Sequence, residues 1–503
     1  MHKDITYGIE EIRMGEFTNV TNITGVSIPY SVKEIGLSAF EGCTGLLSVN
    51  LPSGVKVIGG RAFEGCTALS SVIIPKGVTE IGDNAFKDCK SLVTLLLPPD
   101  VKTIGSYAFE GCGRLSKVTV SPGLKWLGSN AFRGCRSLKS LEIPEGITDI
   151  EKHTFSGCTD LLGVNLPESV EYIGEYAFNG CKSFKSINLS ANVKEIGEYA
   201  FSGCAALPAL AMPAGLREIG DYALKDCINL KSVSIPAGVA RIGENAFYNC
   251  KSLKSINVDK NNAAYASENG VLFNKDKSVL IAYPSGKTDA SYSVPESVSE
   301  LGKYAFMGSK SLKELNLPSG LTRIGDAEFK GCINLSGFAL PDRITDIGES
   351  AFEECISLKN VIIPGRVTDI KSNTFKDCRK LAMIAIPDGV TSIGWGAFEG
   401  CERLMGVNLP DSVTEIAWNA WSGCVNLLSV ILSDNISVIG GGTFYGCAGL
   451  TEIDIPPSVV KIEKSAFEGC DGLQTAHIQT RKTDVTIDSE AFPPGTKLEF
   501  ANG

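Results

Sequence analysis

Hydrophobic residues recur along this chain with a fixed period of 23 residues. The same residue types return from one segment to the next, whereas the positions between them vary freely. One segment is too short to bury its own apolar side chains, so the pattern predicts stacked repeats that share a continuous core. In the segment 53–75 the recurring positions are Val55, Ile58, Gly59, Ala62, Phe63, Cys66, Leu69, Val72, Ile74 and Pro75.

Each repeat is predicted to contain two extended segments and one tighter segment. Alternation at Val72 and Ile74 predicts a strand that buries both side chains and leaves Ile73 facing outward. Pro75 ends this strand because it has no N–H with which to extend a ladder, and residues 55–59 form a second extended segment. The Ala-Phe-x-x-Cys-x-x-Leu spacing predicts one α-helical or 3₁₀ turn on the outer face.

These elements predict an α/β-type repeat solenoid of about twenty stacked turns, spaced about 4.8 Å apart. A parallel β-sheet is expected on its concave face. The solenoid is predicted to span residues 23–492, with residues 1–22 as an N-terminal cap and residues 493–503 as a C-terminal cap. No linker or second domain is indicated.

Cysteine occupies one position of the repeat, which accounts for all seventeen cysteines of the chain. A cysteine that recurs once per turn is predicted to be a small, buried, structural side chain. The alternatives are a disulfide ladder or a set of metal sites, although the odd number, Ser309 in one cysteine position and the lack of CxxC pairs weigh against both. The column consists of Cys43, Cys66, Cys89, Cys112, Cys135, Cys158, Cys181, Cys204, Cys227, Cys250, Cys332, Cys355, Cys378, Cys401, Cys424, Cys447 and Cys470.

The repeat resembles that of a known family. The pattern Ile-Pro-x-x-Val-x-x-Ile-Gly-x-x-Ala-Phe-x-x-Cys-x-x-Leu, as in residues 74–92, is similar to the BspA-like, Treponema-type leucine-rich repeat, and the resemblance extends from about Ile23 to Phe492. It implies a right-handed parallel solenoid. It also implies kinship with bacterial surface or secreted proteins that bind host matrix components or other cells, but it implies no particular ligand, because such repeats share a scaffold and vary its surface.

One repeat is longer than the others. Asp259 and Pro295, which occupy equivalent positions, are 36 residues apart. Within the insert around 259–294, the segment 270–283 has two apolar runs around a polar turn and predicts a β-hairpin. The insert is interpreted either as an insertion that protrudes from the outer face or as a flap for binding or dimerisation.

Outward-facing strand positions are the first candidate binding surface. Few of them are charged, and five are apolar: Ile73, Leu96, Ile362, Met383 and Ile431. Exposed apolar groups on a solenoid sheet are typical of a surface that binds proteins. The alternative is that uncharged residues simply suit a parallel sheet, in which like charges on adjacent strands would repel.

Aromatic columns are the second candidate surface. Tyr176, Tyr199 and Tyr222 occupy one position in three consecutive turns, and Trp395 and Trp418 occupy the neighbouring position in two others. Stacked rings of this kind serve either as a platform for sugar rings or protein side chains, or as a ladder that covers the edge of the core.

An acidic column lies beside the tyrosines. It could attract a cation such as Ca²⁺, or form a solvated face of ion pairs with basic residues nearby. The acidic residues are Glu175, Glu198, Asp221 and Glu244, and the basic residues are Lys194, Arg217 and Arg241.

Composition and motifs exclude several other functions. The net charge of −10 argues against nucleic acid as a partner, and no apolar run is long enough for a transmembrane segment. His2, His153 and His477 lack partners at catalytic or metal-ligand spacing. Phosphate-binding and nucleophile motifs are absent, so neither a catalytic centre nor a cofactor is expected.

The sequence therefore predicts a non-enzymatic binding or adhesion module at the cell surface or secreted, which recognises host or neighbouring-cell proteins through its repeats. The alternatives are a glycan-binding surface protein that uses the stacked aromatics and an intracellular interaction scaffold. Residues 1–8 lack the features of a secretory signal, which indicates an intracellular protein or one whose signal has been removed.

Overall fold

The computed structural model describes residues 2–5 and 7–501. They fall into two compact units, Met1–Ala264 and Tyr265–Gly503. Each unit is a parallel β-solenoid, and the turns of both number about 22. The predicted solenoid is thereby confirmed.

Unit 1 contains two strands in almost every turn. In chain order they are β1 (His2–Asp4), β2 (Glu11–Ile12), β3 (Gly25–Ser27), β4 (Glu34–Ile35), β5 (Ser48–Asn50), β6 (Val57–Ile58), β7 (Ser71–Ile73), β8 (Glu80–Ile81), β9 (Thr94–Leu96), β10 (Thr103–Ile104), β11 (Lys117–Thr119), β12 (Trp126–Leu127), β13 (Ser140–Glu142), β14 (Asp149–Ile150), β15 (Gly163–Asn165), β16 (Tyr172–Ile173), β17 (Ser186–Asn188), β18 (Glu195–Ile196), β19 (Glu218–Ile219), β20 (Ser232–Ile235), β21 (Arg241–Ile242) and β22 (Ser255–Val258).

Unit 2 opens with an antiparallel element and then returns to the same pattern. Its strands are β23 (Tyr265–Glu268), β24 (Val271–Asn274), β25 (Val279–Ala282), β26 (Ser291–Ser293), β27 (Glu300–Leu301), β28 (Glu314–Asn316), β29 (Arg323–Ile324), β30 (Gly337–Phe338), β31 (Asp346–Ile347), β32 (Asn360–Ile362), β33 (Asp369–Ile370), β34 (Met383–Ala385), β35 (Ser392–Ile393), β36 (Gly406–Asn408), β37 (Glu415–Ile416), β38 (Ser429–Ile431), β39 (Val438–Ile439), β40 (Glu452–Ile455), β41 (Lys461–Ile462), β42 (Thr475–Ile478), β43 (Thr486–Ile487) and β44 (Lys497–Phe500).

Almost every turn has a longer strand and a two-residue strand, and strands of the same kind pair in parallel between neighbouring turns. The longer strands form one face of each unit, which we call the long-strand sheet, and in it Val49 lies beside Val72. The two-residue strands form a second face, in which Ile35 lies beside Ile58. Every turn therefore satisfies its backbone hydrogen bonds with its neighbours, as a solenoid requires.

The segment between the two kinds of strand is not a helix. Ala62 N donates to Gly59 O at 3.2 Å and Cys66 N to Phe63 O at 3.2 Å, as in 3₁₀ geometry. However, Arg61 and Gly65 have φ values of 55° and 71°, and these left-handed residues break the run after each tight turn. The described residues contain no helix, so the α/β label is wrong and the turns consist of strands and tight turns alone.

A column of aromatic rings fills the core. The ring centroids of Phe40 and Phe63 are 5.3 Å apart and their planes differ by 5°. In the turn of the insert, Tyr283 occupies this column and stacks on Phe306 at 5.1 Å. Trp421 occupies it further along and stacks on Phe444 at 5.4 Å. Rings one repeat apart thus pack in the offset-stacked arrangement that aromatic pairs prefer.

The cysteine column lies next to the aromatic column. All seventeen cysteines are free and buried. Their thiols donate to a main-chain carbonyl in the preceding turn, as Cys66 Sγ does to Phe40 O at 3.1 Å. Burial raises the pKa of the Cys181 thiol, and that of Cys158 to about 12. A thiol held in this way is a poor nucleophile, because the thiolate is the reactive form.

The insert is built into the core instead of protruding from it. Strands β23, β24 and β25 form an antiparallel meander, and β25 then pairs in parallel with β27. Val271, Phe273 and Leu280 are fully buried. The expectation of a protruding insertion is wrong, because the second apolar run supplies the short strand of its turn and the first run pairs beside it in the same sheet.

Both ends of the chain follow the repeat geometry. Strand β1 pairs with β3 in the long-strand register, and Phe17 stacks on Phe40. At the other end, β44 pairs with β42, and Phe492 stacks on Phe467. The segments predicted as caps therefore add turns that continue the stack over the described residues.

Glu328 interrupts a buried column that alanine fills in the adjacent turns. In neighbouring turns the position holds Ala305 and Ala351, yet Glu328 is fully buried and neither carboxylate oxygen has a hydrogen-bond partner. Burial raises the pKa of Glu328 to about 8, and the nearby amides of Ala305 and Phe306 offset this only in part. A carboxyl group buried without a partner destabilises the fold once it ionises.

We expect Glu328→Ala to stabilise unit 2 at neutral and alkaline pH. The unfolded chain releases this proton near 4.5, whereas the folded chain holds it to about 8. Stability therefore falls as pH rises through that window, by up to about a factor of ten in the folding equilibrium per pH unit. Urea unfolding of the wild type and the variant at pH 5 and pH 8 measures the effect.

The gain from Glu328→Ala should be larger at pH 8 than at pH 5, and Glu328→Gln should remove the same pH dependence. Glu349→Ala, at an exposed site, is the control and should leave the profile unchanged. A gain that is equal at both pH values would contradict the ionisation argument.

The buried thiols make a second prediction. The native protein should react slowly with a thiol reagent such as 5,5′-dithiobis(2-nitrobenzoate), because each cysteine is buried and meets the reagent only when the stack opens. In denaturant, all seventeen thiols should react within the mixing time. Rapid reaction of several thiols in the native state would show that the column is accessible.

Candidate partner-binding surfaces

The long-strand sheet of unit 2 exposes a group of apolar side chains on consecutive turns. Ile362 is 79% exposed, and Met383 and Ile431 are also exposed. Met405 and Leu428 extend the group. Both are exposed, and each immediately precedes a long strand, β36 and β38 respectively. We call these five residues the unit 2 apolar face.

Pairing between the strands brings the members of this face together. Ile362 lies beside Ala385 in the register of β32 and β34, and Ile431 lies beside Asn408 in the register of β36 and β38. Adjacent strands are about 4.8 Å apart, so the four turns extend over roughly 15 Å. The outward-facing strand positions in these turns are Asn360, Ile362, Met383, Ala385, Gly406, Asn408, Ser429 and Ile431, and none is charged.

A smaller group of the same kind lies in unit 1. Ile73 and Leu96 are exposed on consecutive strands, and Leu47 and Val93 are exposed just before strands of the same sheet. The two groups thus place all five apolar residues that the sequence singled out on exposed strand positions.

Met405 and Leu428 were missed by the sequence analysis. Their position immediately precedes the strand and falls outside the alternation used to select outward-facing residues. In neighbouring turns it holds Lys359 and Ala382. The signal that could have found them is a large apolar residue at this position in two consecutive turns, after Lys359 and Ala382 in the two turns before.

The three tyrosines form a ladder. The Tyr176 and Tyr199 centroids are 4.8 Å apart, as are those of Tyr199 and Tyr222. His153 extends the ladder by stacking on Tyr176 at 4.6 Å, and Lys225 lies 5.5 Å from the Tyr222 centroid. Because the rings cover one another, the ladder offers edges and hydroxyl groups to solvent, and its interior faces are occupied.

The residues of the tyrosine ladder have an unusual backbone geometry. Tyr176, Tyr199 and Tyr222 have φ values of 55°, 52° and 54°, and His153 has 57°. The left-handed region favours glycine and asparagine over bulky residues. Stacking between turns offsets the cost of placing rings there.

The acidic column next to the ladder is neutralised in part by ion pairs. Lys152 pairs with Glu175, and Arg241 bonds to Asp221 at 3.0 Å and also to Glu218. Lys194 pairs instead with Glu171 at 2.5 Å. A cleft of about 300 Å³ lies among these groups, but no cluster of three or more metal-ligand side chains occurs at residues 2–5 and 7–501. The arrangement is that of a solvated, ion-paired face.

Trp395 and Trp418 have different surroundings although they occupy the same column. Trp395 is 42% exposed and lies beneath Lys376, whose Nζ is 5.2 Å from the ring centroid. Trp418 is 60% exposed and lines a pocket of about 480 Å³. Both tryptophans belong to unit 2, and the tyrosine ladder belongs to unit 1.

The repeat matches a family model over nearly all of the chain. The model describes a BspA type leucine-rich repeat region of six copies, and it matches residues 10–139, 81–188, 149–269, 287–403 and 368–499. The chain belongs to the BspA-type leucine-rich repeat family. The resemblance inferred from the repeat pattern is thereby confirmed.

Solved structures of bacterial leucine-rich repeat proteins are similar to this chain. A leucine-rich repeat protein from Eubacterium ventriosum is 26% identical, with a TM-score of 0.53, over 71% of this chain and 87% of that one. One from Bacteroides ovatus is 26% identical, with a TM-score of 0.46, over 82% and 92%. A leucine rich cell surface protein from Faecalibacterium prausnitzii is 24% identical, with a TM-score of 0.30, over 93% and 92%. The search of curated proteins found no match.

The remaining candidate chemistry of this BspA-type protein is dispersed. His153 is part of the ladder, and His477 Nδ1 lies 2.8 Å from a carboxylate oxygen of Glu499 on the adjacent strand. His2 Nε2 lies 2.6 Å from Ser27 Oγ. Each histidine thus contacts a residue of a neighbouring turn. In the part of the chain that the structure describes, no helix has the length and hydrophobicity to cross a membrane.

We expect the tyrosine ladder to stabilise the fold. Tyr199→Asn keeps a residue that tolerates positive φ but removes two stacked contacts, and should destabilise unit 1 by about 1–3 kcal/mol. Tyr199→Val should destabilise it further, because a β-branched residue is strained in the left-handed region. Thermal unfolding monitored by circular dichroism gives the ranking, and a valine variant more stable than the asparagine variant would refute this account.

Proposed function

We propose that this chain is a non-enzymatic binding protein that recognises a protein partner through the unit 2 apolar face. The observation that carries the proposal is the run of exposed Ile362, Met383, Met405, Leu428 and Ile431 over four turns whose strands present no outward charge. Apolar groups that remain exposed in this concentration are typical of interaction surfaces.

The chemistry of the face fits a protein partner. Methionine is flexible and polarisable, so Met383 and Met405 can adjust to the shape of an opposing apolar surface. The asparagine and serine side chains beside them supply hydrogen bonds at the margin of the contact. The partner surface should therefore carry exposed aliphatic or aromatic side chains with little net charge.

The partner and place of action are proposed from the family. BspA-like repeats resemble those of bacterial proteins that bind matrix components at the cell surface, so we propose that this chain acts there or after secretion and binds a host matrix or neighbouring-cell protein. Immunolabelling of intact and permeabilised cells of the source organism tests the location, since labelling only after permeabilisation would contradict it.

Binding to purified extracellular-matrix proteins tests the partner. Biolayer interferometry against a panel that includes fibronectin, fibrinogen, laminin and collagen should identify a binder. Ile362→Glu combined with Met383→Glu should weaken that binding at least tenfold, which corresponds to about 1.4 kcal/mol or more, because two carboxylates would be desolvated against an apolar partner.

A matched control variant carries the same charges elsewhere. Asn165 and Ser186 are exposed on adjacent long strands of unit 1, and Asn165→Glu combined with Ser186→Glu should leave binding unchanged. Equal loss in both double variants would indicate a general charge effect. Undiminished binding by the first variant would place the interaction on another surface.

A further inference from the structure

We propose that the pocket beside Trp418 binds a neutral saccharide. The site lies in unit 2 between the turn of Trp418 and the two turns that follow it, and it encloses about 480 Å³. This volume is within the range of about 300–1,000 Å³ typical of small-ligand sites. The proposal is independent of the unit 2 apolar face, which lies on the long-strand sheet.

Three successive glycines create the space. Residues 440–442 are all glycine, and Gly441 stands where the preceding turn has Trp418 and the next has Lys464. A Cβ at Gly440 would lie 2.6 Å from Trp418 Cδ1, so glycine lets the indole lie directly on the backbone. Because Gly441 has no side chain, the volume that its column fills in other turns is open to solvent.

Trp418 supplies an apolar surface at the edge of this space. In the described turns of this region the stacked aromatic column runs through Trp421 and not through Trp418, and the Trp418 side chain remains 60% exposed. It contrasts with Trp395, which Lys376 covers, and with the interior tyrosines of the ladder, whose faces are occupied. An open indole face is the group against which the C–H surface of a pyranose ring can pack.

Polar groups surround the indole. Glu463 accepts hydrogen bonds from Lys461 Nζ at 2.7 Å and Gly441 N at 3.2 Å. These bonds, together with the Trp418 indole, lower the pKa of Glu463. The carboxylate is therefore ionised and fixed in position, with lone pairs available to accept from ligand hydroxyl groups. Thr486 and Asp488 also line the pocket.

The balance of charge selects a neutral ligand. Lys461 and Lys464 contribute two positive charges to the lining, and Glu463 and Asp488 contribute two negative charges. Lys464 Nζ also pairs with Glu490 at 3.0 Å. The lining itself therefore holds equal numbers of positive and negative groups, and these groups still offer donors and acceptors to hydroxyl groups. A ligand with an apolar face and many hydroxyl groups, which is a neutral sugar, matches both features.

Saturation-transfer-difference NMR with the full chain tests the site. The probes are neutral saccharides (lactose, maltose, cellobiose and N-acetylglucosamine oligomers), with sialyllactose and a heparin oligosaccharide as charged comparisons. We expect at least one neutral saccharide to bind and the charged ones to give no stronger signal. Trp418→Ala should weaken that binding at least tenfold.

Two further variants separate loss of the site from loss of the fold. Gly441→Lys fills the pocket with a side chain that the same column already holds at Lys464, and should abolish binding while Trp418 stays in place. Trp395→Ala is the matched control and should bind as the wild type does. Circular dichroism checks that each variant is folded.

Absence of binding by every neutral saccharide would overturn the proposal, as would equal binding by Trp418→Ala and the wild type. A preference for the sialylated or sulfated probe would overturn the assignment to neutral sugars. The Ile362→Glu, Met383→Glu variant should bind saccharide normally, so failure of the sheet-face function and failure of this site can be distinguished.

Discussion

The structure depends on one constraint, which is that each residue must pack against its own equivalents 23 residues before and after it. A parallel stack satisfies backbone hydrogen bonds only between neighbouring turns, so the register cannot slip without breaking every bond at once. The side chains follow the same rule. The Phe63 ring must fit the rings of Phe40 and Phe86, and each thiol must reach a carbonyl of the preceding turn. Identical neighbours at identical spacing are therefore the simplest solution, and the chain uses it in nearly every core column.

This constraint explains why the core could be predicted and the turn geometry could not. Strand alternation at Val72 and Ile74 and the cysteine column are repeated many times, and repetition makes each position unambiguous. Of the predicted α-helical or 3₁₀ turn only the 3₁₀-type hydrogen bonds are present, because a spacing of three to four residues also arises from successive tight turns. Left-handed residues such as Arg61 and Tyr176 separate those turns, and neither residue type signals positive φ in a sequence. The pairing register between turns imposes the left-handed conformation on these residues, and their own backbone preferences do not.

For the insert and the candidate surfaces, the sequence predicts local structure but not the contacts between turns. The hairpin at 270–283 could be recognised, but its burial could not, because strand β23 and the pairing of β25 with β27 are contacts that only the stack defines. On the surface, exposure of Ile73 and Ile362 follows from strand alternation alone. Met405 and Trp418 became candidates only because of their neighbours. Met405 lies next to strands without outward charges, and Trp418 lies beside Gly441, which has no side chain.

The effect of a departure from the repeat therefore depends on whether the residue faces the core or the solvent. Glu328 and Gly441 both differ from the residues of the adjacent turns in their columns, but Glu328 faces the core, where neighbours on both sides require a small residue, and its charge destabilises the stack. Gly441 faces solvent, and the missing side chain exposes the indole of the preceding turn without disturbing a buried contact. Since turns interact mainly with their nearest neighbours, an outward exception alters one site and leaves distant turns unaffected. A scaffold of this kind can hold two unrelated binding sites in one unit, because the residues that build the fold and those that build a site occupy different columns.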